Sequence, residues 1–318
     1  MKNVLVLGGT GFVGTQVCEK LACQGWLVTV ATRQKSNASH LLHLPRLSVV
    51  EVDVHDRTAL SQELVGQDAV VNLVAILQGT QAAFEMVHVE LPGELARACI
   101  AAGVRQVVHI SAVGANAQQP LSAPSMYLRS KGQGEAALMQ AANSGRTPAF
   151  ELTILRPSVI FGAKDKFLNV FAQLQQALPL MPLAGASARF QPVWVDDVAS
   201  AVLLSLRPDD NAAPAAPARV LEACGPDVFT LRELVQLSAR LAGIRDGRGR
   251  PVLALPDWLG RLQAILMEML PGEPLMSRDN LDSMRIDNVA SGKVPGLQAL
   301  GIDAAALCTV APAYLAKK

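Results

Sequence analysis

Residues 8–14 read Gly-Gly-Thr-Gly-Phe-Val-Gly, directly after the apolar run Val4–Leu7 and directly before a stretch with helical spacing, Phe12–Gln24. No other feature restricts so tightly what this chain can fold into. Gly9-x-Gly11-x-x-Gly14 and Gly8-x-x-Gly11-x-x-Gly14 both fit strand–turn–helix glycine patterns. Each makes the same physical demand. The backbone turns tightly, no side chain blocks a pyrophosphate, and the helix packs close to the strand. The free N–H groups and positive dipole end of the helix beginning at Phe12 then suit phosphate. Gly8, Thr10, Gly11, Phe12, Val13 and Gly14 are therefore candidate nucleotide contacts. The competing reading is a purely structural turn.

The rest of the chain supports the nucleotide reading. Short apolar runs at Leu27–Ala31, Leu47–Val54, Asp68–Ala75, Val104–Ser111 and Phe150–Leu155 read as buried strands. Helical patterns separate them at Thr58–Val65, Ala82–Ala102 (ending at the C-cap candidate Gly103) and Ser125–Ala142. Strands alternating with helices imply an α/β fold, a Rossmann-type doubly wound parallel sheet. Residues 1–160 read as the NAD(P)-binding domain, completed by parts of 190–225, and residues 161–318 as a smaller mixed C-terminal lobe for substrate or partner. Within the lobe, Lys166–Ala177 and Asp196–Leu206 look helical, and Val220–Ala223 suits a strand. Thr230–Ala242 is a helix with Thr230 and Glu233 as a capping box. Asn211–Ala218 is a Pro/Ala loop. Trp258–Leu270 is amphipathic, a stripe that is either lobe core or a docking face for a partner or membrane surface.

The end of the second strand indicates which nucleotide. A unit that binds NAD(H) usually carries an acid there for the ribose 2′-hydroxyl. Here the segment is Val30-Ala31-Thr32-Arg33-Gln34-Lys35, without an acid. Arg33 offers a planar donor fork for a 2′-phosphate, and Lys35 adds charge. NADP(H) is thus preferred, with NAD(H) left open; a solvated surface arginine is the bland alternative. Asp53, at the end of the third strand, suits the adenine amino group or a simple turn.

Composition narrows the partners. The 318 residues are 50% apolar and 17% charged with net charge +1, so no global field attracts nucleic acid. Five dispersed cysteines, at 18, 23, 99, 224 and 308, read as reduced cytosolic thiols. Strand residues from position 3 leave no room for a leader before the fold, and no apolar run approaches the ~18 residues of a membrane span. A cytoplasmic location follows as the expectation, with peripheral contact at the inner face of a membrane kept open. Among the histidines, only His40-x-x-His43 has close spacing, and it reads as a polar loop rather than a metal site. Asp196-Asp197 is expected to N-cap the next helix.

Taken together, the glycine loop, Asp53-Val54, Asn72-Leu73-Val74-Ala75, Tyr127-x-x-x-Lys131, Arg156-Pro157-x-x-x-Phe161-Gly162 and Val193–Asp197 resemble the extended short-chain dehydrogenase/reductase (SDR) superfamily. The runs YLRSKGQGE, LRPSVIFGAKDKFLN and QPVWVDDVASAV look most like its atypical branch. That branch includes the nucleotide-binding accessory subunit of respiratory complex I and its bacterial relatives, and it is similar to a protein tied to coenzyme Q synthesis. The resemblance covers most of the chain, least its last ~50 residues. It implies nucleotide contacts from Val54, Leu73, Val74, Ala75, Pro157, Ser158 and Ile160 as well.

The resemblance also implies a catalytic Tyr127–Lys131 pair. Four residues apart on a helix, the two side chains share a face. A lysine ammonium there is expected to lower the tyrosine toward working pH and to bind the nicotinamide ribose. The family further uses a carbonyl-polarising hydroxyl and an upstream asparagine. Ser111 is the candidate hydroxyl at the strand end, although the preferred register places that position at Val113, and Glu90 stands where the asparagine would be. Without the polarising donor, a site loses an electrostatic contribution of several kcal/mol. Two function classes follow. One is an NADP(H)-dependent oxidoreductase, or an epimerase/dehydratase-like enzyme, acting on an unidentified, quinone-like small molecule. The other is a non-catalytic nucleotide-binding accessory or assembly protein of a complex I-type or quinone-biosynthetic assembly.

Overall fold

The computed structural model describes residues 2–144, 149–206, 218–269, 272 and 274–316. Seven parallel strands form the central sheet: β1 (Asn3–Leu7), β2 (Leu27–Thr32), β3 (Leu47–Glu51), β4 (Ala69–Asn72), β5 (Gln106–Ile110), β6 (Glu151–Pro157) and β7 (Ala218–Ala223). Their spatial order is β7-β6-β5-β4-β1-β2-β3. The order reverses between β1 and β4, the switch point outside which ligands of such sheets lie.

Each face of the sheet is covered by helices. Val4, Val6, Val28, Val30 and Val71 pack against α1 (Phe12–Cys23) and α7 (Val195–Ser205). Leu5, Leu7, Val70, Val107 and Ile154 pack against α2 (Arg57–Leu64), α4 (Leu91–Ala102) and α5 (Met126–Ala142). Burial on both faces explains why the strands read as continuous apolar runs.

The expected single helix over Ala82–Ala102 is corrected to three segments. α3 (Gln81–Glu85) passes through a π-helical turn, Met86–Glu90, into α4, which ends at left-handed Gly103. Strand β4 stops at Asn72, short of the expected Ala75, because the Asn72 side chain accepts the Val74 N–H and turns the chain out of the ladder. Asp196 and Asp197 do not cap α7. They lie in its first turn, where Asp196 pairs with Lys20 at 2.8 Å and Asp197 accepts the Ala305 N–H.

The C-terminal residues build a separate apolar core around Phe161, Leu183, Leu231, Leu234 and Val235, from α6 (Leu168–Ala177), α8 (Leu231–Leu241) and short two-stranded ladders. The Thr230–Glu233 capping box starts α8 as expected. Of the Asn211–Ala218 segment, only Ala218 is described, and it begins β7; the remainder lies outside the described residues. Amphipathic α9 (Asp257–Glu268) buries only Gly260 and Ala264 and leaves Trp258, Leu262, Leu266 and Met269 exposed, so its stripe is not lobe core; Leu270 lies outside the described residues. Among the described residues, no helix is long and apolar enough to cross a membrane.

Candidate nucleotide and Tyr–Lys site

At Gly14 the glycine loop is packed too tightly for any side chain. A Cβ on Gly14 would lie 2.2 Å from the Gly8 carbonyl oxygen and 2.6 Å from the Gly9 Cα. Gly8 has φ +80° and sits against the backbone of Leu73 and Val74, so the loop touches the exit of β4. Gly11 is the N-cap of α1, and no side chain occupies that helix end. The first turn thus presents free N–H groups beside the switch point, a fit to a pyrophosphate. Thr10, Phe12 and Val13 are half-buried around it, and the Phe12 ring lies under Gly162.

The exit of β2 is polar and open. Arg33 is exposed, with no ion pair or hydrogen bond among the described residues. Thr15 Oγ donates to the Gly11 carbonyl and meets His40 Nε2 at 3.0 Å, which engages the His40 ring with α1. No group of metal-ligating side chains is found among the described residues. Asp53 is exposed and accepts the His55 N–H in a local turn through Oδ1. Val54 packs with the α2/α4/α5 face of the core. Leu73 and Val74 are half-buried and Ala75 is exposed, all just past β4.

At the far side of the switch point, Pro157 closes β6. Ser158 donates its hydroxyl to Asn288 and its N–H to Ala223, so both groups are committed within the protein. Ile160 pairs with Val193 in a short parallel ladder.

Helix α5 carries the Tyr–Lys pair. Ser125 caps it by accepting the Leu128 N–H. The Asp279 carboxylate adds a second cap, accepting from Met126 N–H at 2.6 Å and Tyr127 N–H at 3.1 Å. Asp279 belongs to α10 (Arg278–Ser283), so the C-terminal lobe holds the end of this helix. Burial raises the Asp279 carboxyl above its usual range, against the lowering effect of the two N–H bonds.

Tyr127 is half-buried, edge-on to His88 and Phe84. Burial pushes its phenol up to about 12. Lys131 is fully buried and donates from Nζ to the Ile110 carbonyl at 2.7 Å. Burial brings its ammonium down to about 8, against the opposing field of Glu135. The expected lowering of the tyrosine by the lysine is therefore not found. Desolvation governs both groups, and the ammonium is turned to the strand carbonyl.

The parallel pairing continues past the end of β5. Ser111 N–H bonds Leu155 O and Val113 N–H bonds Pro157 O, so the parallel ladder runs on and His109, Ser111 and Val113 line one face. Ser111 lies one step deeper than Val113, and its Oγ is buried without a partner. Glu90 is exposed and does not reach the site, because the π-helical turn directs His88 inward instead.

Several inward polar residues carry no sequence motif. Glu135 is fully buried and takes two bonds from Arg156, at 2.8 and 2.5 Å. His88 accepts the Ile76 N–H at Nε2 and meets Ser130 Oγ through Nδ1 at 2.9 Å; burial, then the Lys131 charge, pushes its pKa down to about 3. Asn72 bonds His109 at 3.2 Å. The signal that could have found His109 and Asn72 is their place at polar positions on strands otherwise apolar on both faces.

Comparison with known proteins agrees with this architecture. Residues 4–216 match the model of the "NAD dependent epimerase/dehydratase family". The chain is 31% identical over 308 residues to the Rattus norvegicus protein named "NADH dehydrogenase [ubiquinone] 1 alpha subcomplex subunit 9, mitochondrial", covering 93% of this chain and 75% of that one. It is 26% identical over 314 residues to the Neurospora crassa "NADH-ubiquinone oxidoreductase 40 kDa subunit, mitochondrial", covering 98% and 78%. Among solved structures, "MoeE5 in complex with UDP-glucuronic acid and NAD" superposes with TM-score 0.69 at 19% identity, covering 98% of this chain and 97% of that one, a likeness of fold. With the glycine cradle, the seven-stranded order and the matched span together, the chain belongs to the NAD dependent epimerase/dehydratase family, the extended SDR proteins.

Proposed function

We propose that this protein holds NADP(H) as a bound nucleotide within a quinone-linked respiratory or biosynthetic assembly, with binding rather than turnover as its main task. The observation that carries the reading is the pairing of a tight glycine cradle with a Lys131 ammonium bonded to a strand carbonyl. Gly8, Gly11 and Gly14 leave the α1 N-terminus free for a pyrophosphate. Arg33, unpartnered at the end of β2, is available for a 2′-phosphate, and Asp53 keeps one carboxylate oxygen for the adenine amino group. Leu73, Val74, Ala75, Pro157 and Ile160 would flank the nucleotide along the strand ends. The bound nucleotide would supply hydride chemistry if any occurs. Meanwhile the Lys131 ammonium donates to Ile110 O, an arrangement suited to retention. The subunit names of the two relatives and the exposed apolar face of α9 support membership in an assembly, at or near a membrane surface. The division at residue 160, with the lobe serving a partner, belongs to the same proposal.

A second reading, an oxidoreductase with Tyr127 as acid/base, Lys131 orienting it and Ser111 polarising a carbonyl, is favoured by the unpartnered Ser111 Oγ. Two measurements separate the readings. Fluorescence titration should show NADPH bound in preference to NADH, and Arg33→Ala should reduce that preference by about tenfold, the worth of a charge-assisted pair. An unchanged preference removes the NADP(H) assignment. Tyr127→Phe should leave nucleotide retention and assembly intact; loss of a nucleotide-dependent reduction of quinones in that variant favours the enzyme instead.

A further inference from the structure

The two buried histidines beside Lys131 differ in one respect. His88 is satisfied at both ring nitrogens: Nε2 accepts the Ile76 N–H, so the proton is on Nδ1, which donates to Ser130 Oγ, which in turn donates to Tyr127 O. His109 is satisfied at one only. The Val74 N–H donates to Asn72 Oδ1, which orients the amide so that its Nδ2 faces the ring. An amide nitrogen only donates, so His109 Nδ1 accepts and the ring proton stands on Nε2. Burial and the Lys131 charge hold the ring neutral. That Nε2–H is buried with no acceptor, and so is Ser111 Oγ two residues along the same strand face. An unpaired buried donor is costly, and here a three-group relay fixes its direction instead of relieving it.

We propose that His109 Nε2–H and Ser111 Oγ together hold one oxygen atom in the interior beside Lys131, the oxygen of an ordered water or of a molecule bound in the cleft. Two neutral donors next to an ammonium make a niche for an acceptor with lone pairs. A carbon or a cation does not suit it. His109 is a positioning residue in this arrangement, and Asn72 sets its tautomer. The niche is independent of whether the protein turns over its nucleotide.

The test is side-chain 15N NMR of histidine-labelled full-length protein, without nucleotide and with saturating NADPH. The expected result is an Nε2-protonated, neutral His109 whose proton is shifted downfield by a hydrogen bond. Cross-relaxation of that proton with water in both samples identifies the source as water. Cross-relaxation lost on adding NADPH, with a further shift, identifies an oxygen of the bound molecule. Ser111→Ala should move the His109 Nε2–H resonance, and Asn72→Leu should release the tautomer to a mixture. A proton on Nδ1 in the wild type, an Nε2–H at the free-donor position or exchanging too fast to observe, or a resonance that Ser111→Ala leaves unmoved, each overturns the proposal. None of these outcomes depends on which nucleotide Arg33 prefers.

Discussion

The sheet half and the C-terminal lobe depart from ordinary burial in opposite directions. Between the sheet and α5, the protein hides Lys131, Glu135, His88, His109 and Ser130. On α9, it displays Trp258 at 67% exposure and Met269 at 77%. Charged groups are rarely fully buried unless paired, and contiguous exposed apolar faces mark contact surfaces. The two places differ in kind. The buried belt draws most of its partners from within the chain, whereas the exposed stripe requires nothing further from its own chain.

Substitutions can break that contrast. The largest effect is expected at Glu135→Ala, which strands Arg156 in a site where its side chain is only 11% exposed; a loss of about 3–5 kcal/mol in urea unfolding is expected. A loss under 1 kcal/mol would mean that the belt is not a cooperative unit.

Lys131→Met should act the other way. The buried ammonium titrates near 8, below the usual 10.5 of an unfolded lysine. At pH 7 both states are charged, and the folded state carries the desolvation cost. Between pH 8 and 10.5, the folded protein sheds its proton while the unfolded chain keeps it, so wild-type stability gains from this group as pH rises. The methionine variant should thus be more stable by about 1–2 kcal/mol at pH 7. The advantage should shrink across that window. An advantage that is flat with pH would assign the effect to packing.

The smallest change is expected in the lobe. Trp258→Ser and Leu266→Ser should each shift the unfolding midpoint by no more than about 0.5 kcal/mol, because neither side chain is packed in the described structure. A shift of 2 kcal/mol would show that the stripe is covered in solution.

Legibility in the sequence followed the same division. Local chemistry was readable where it acts within a few residues: the glycine loop, the Gly103 cap, the Thr230–Glu233 box and the seven strands. The π-helical turn at Met86–Glu90 was not: it rotates the following residues by about 100°, and no residue type in the segment marks where that happens. Of the candidate site, the glycines were legible from spacing, and Tyr127 and Lys131 from the family resemblance. That Ser111 and Val113 share one face with His109 was not, because it follows from the pairing with β6 beyond the end of β5.

The sequence by itself determined the strand–glycine–helix start, the parallel alternation and the absence of an acid after β2, because each rests on periodicity or backbone sterics within one segment. Tertiary structure alone decided that Asp279 caps α5 from 152 residues away from Tyr127, that Arg156 pairs with Glu135, and that Asn72 meets the His109 ring. Those outcomes depend on which polar groups the packed sheet and helices deprive of water together, and desolvation is a property of the assembled interior.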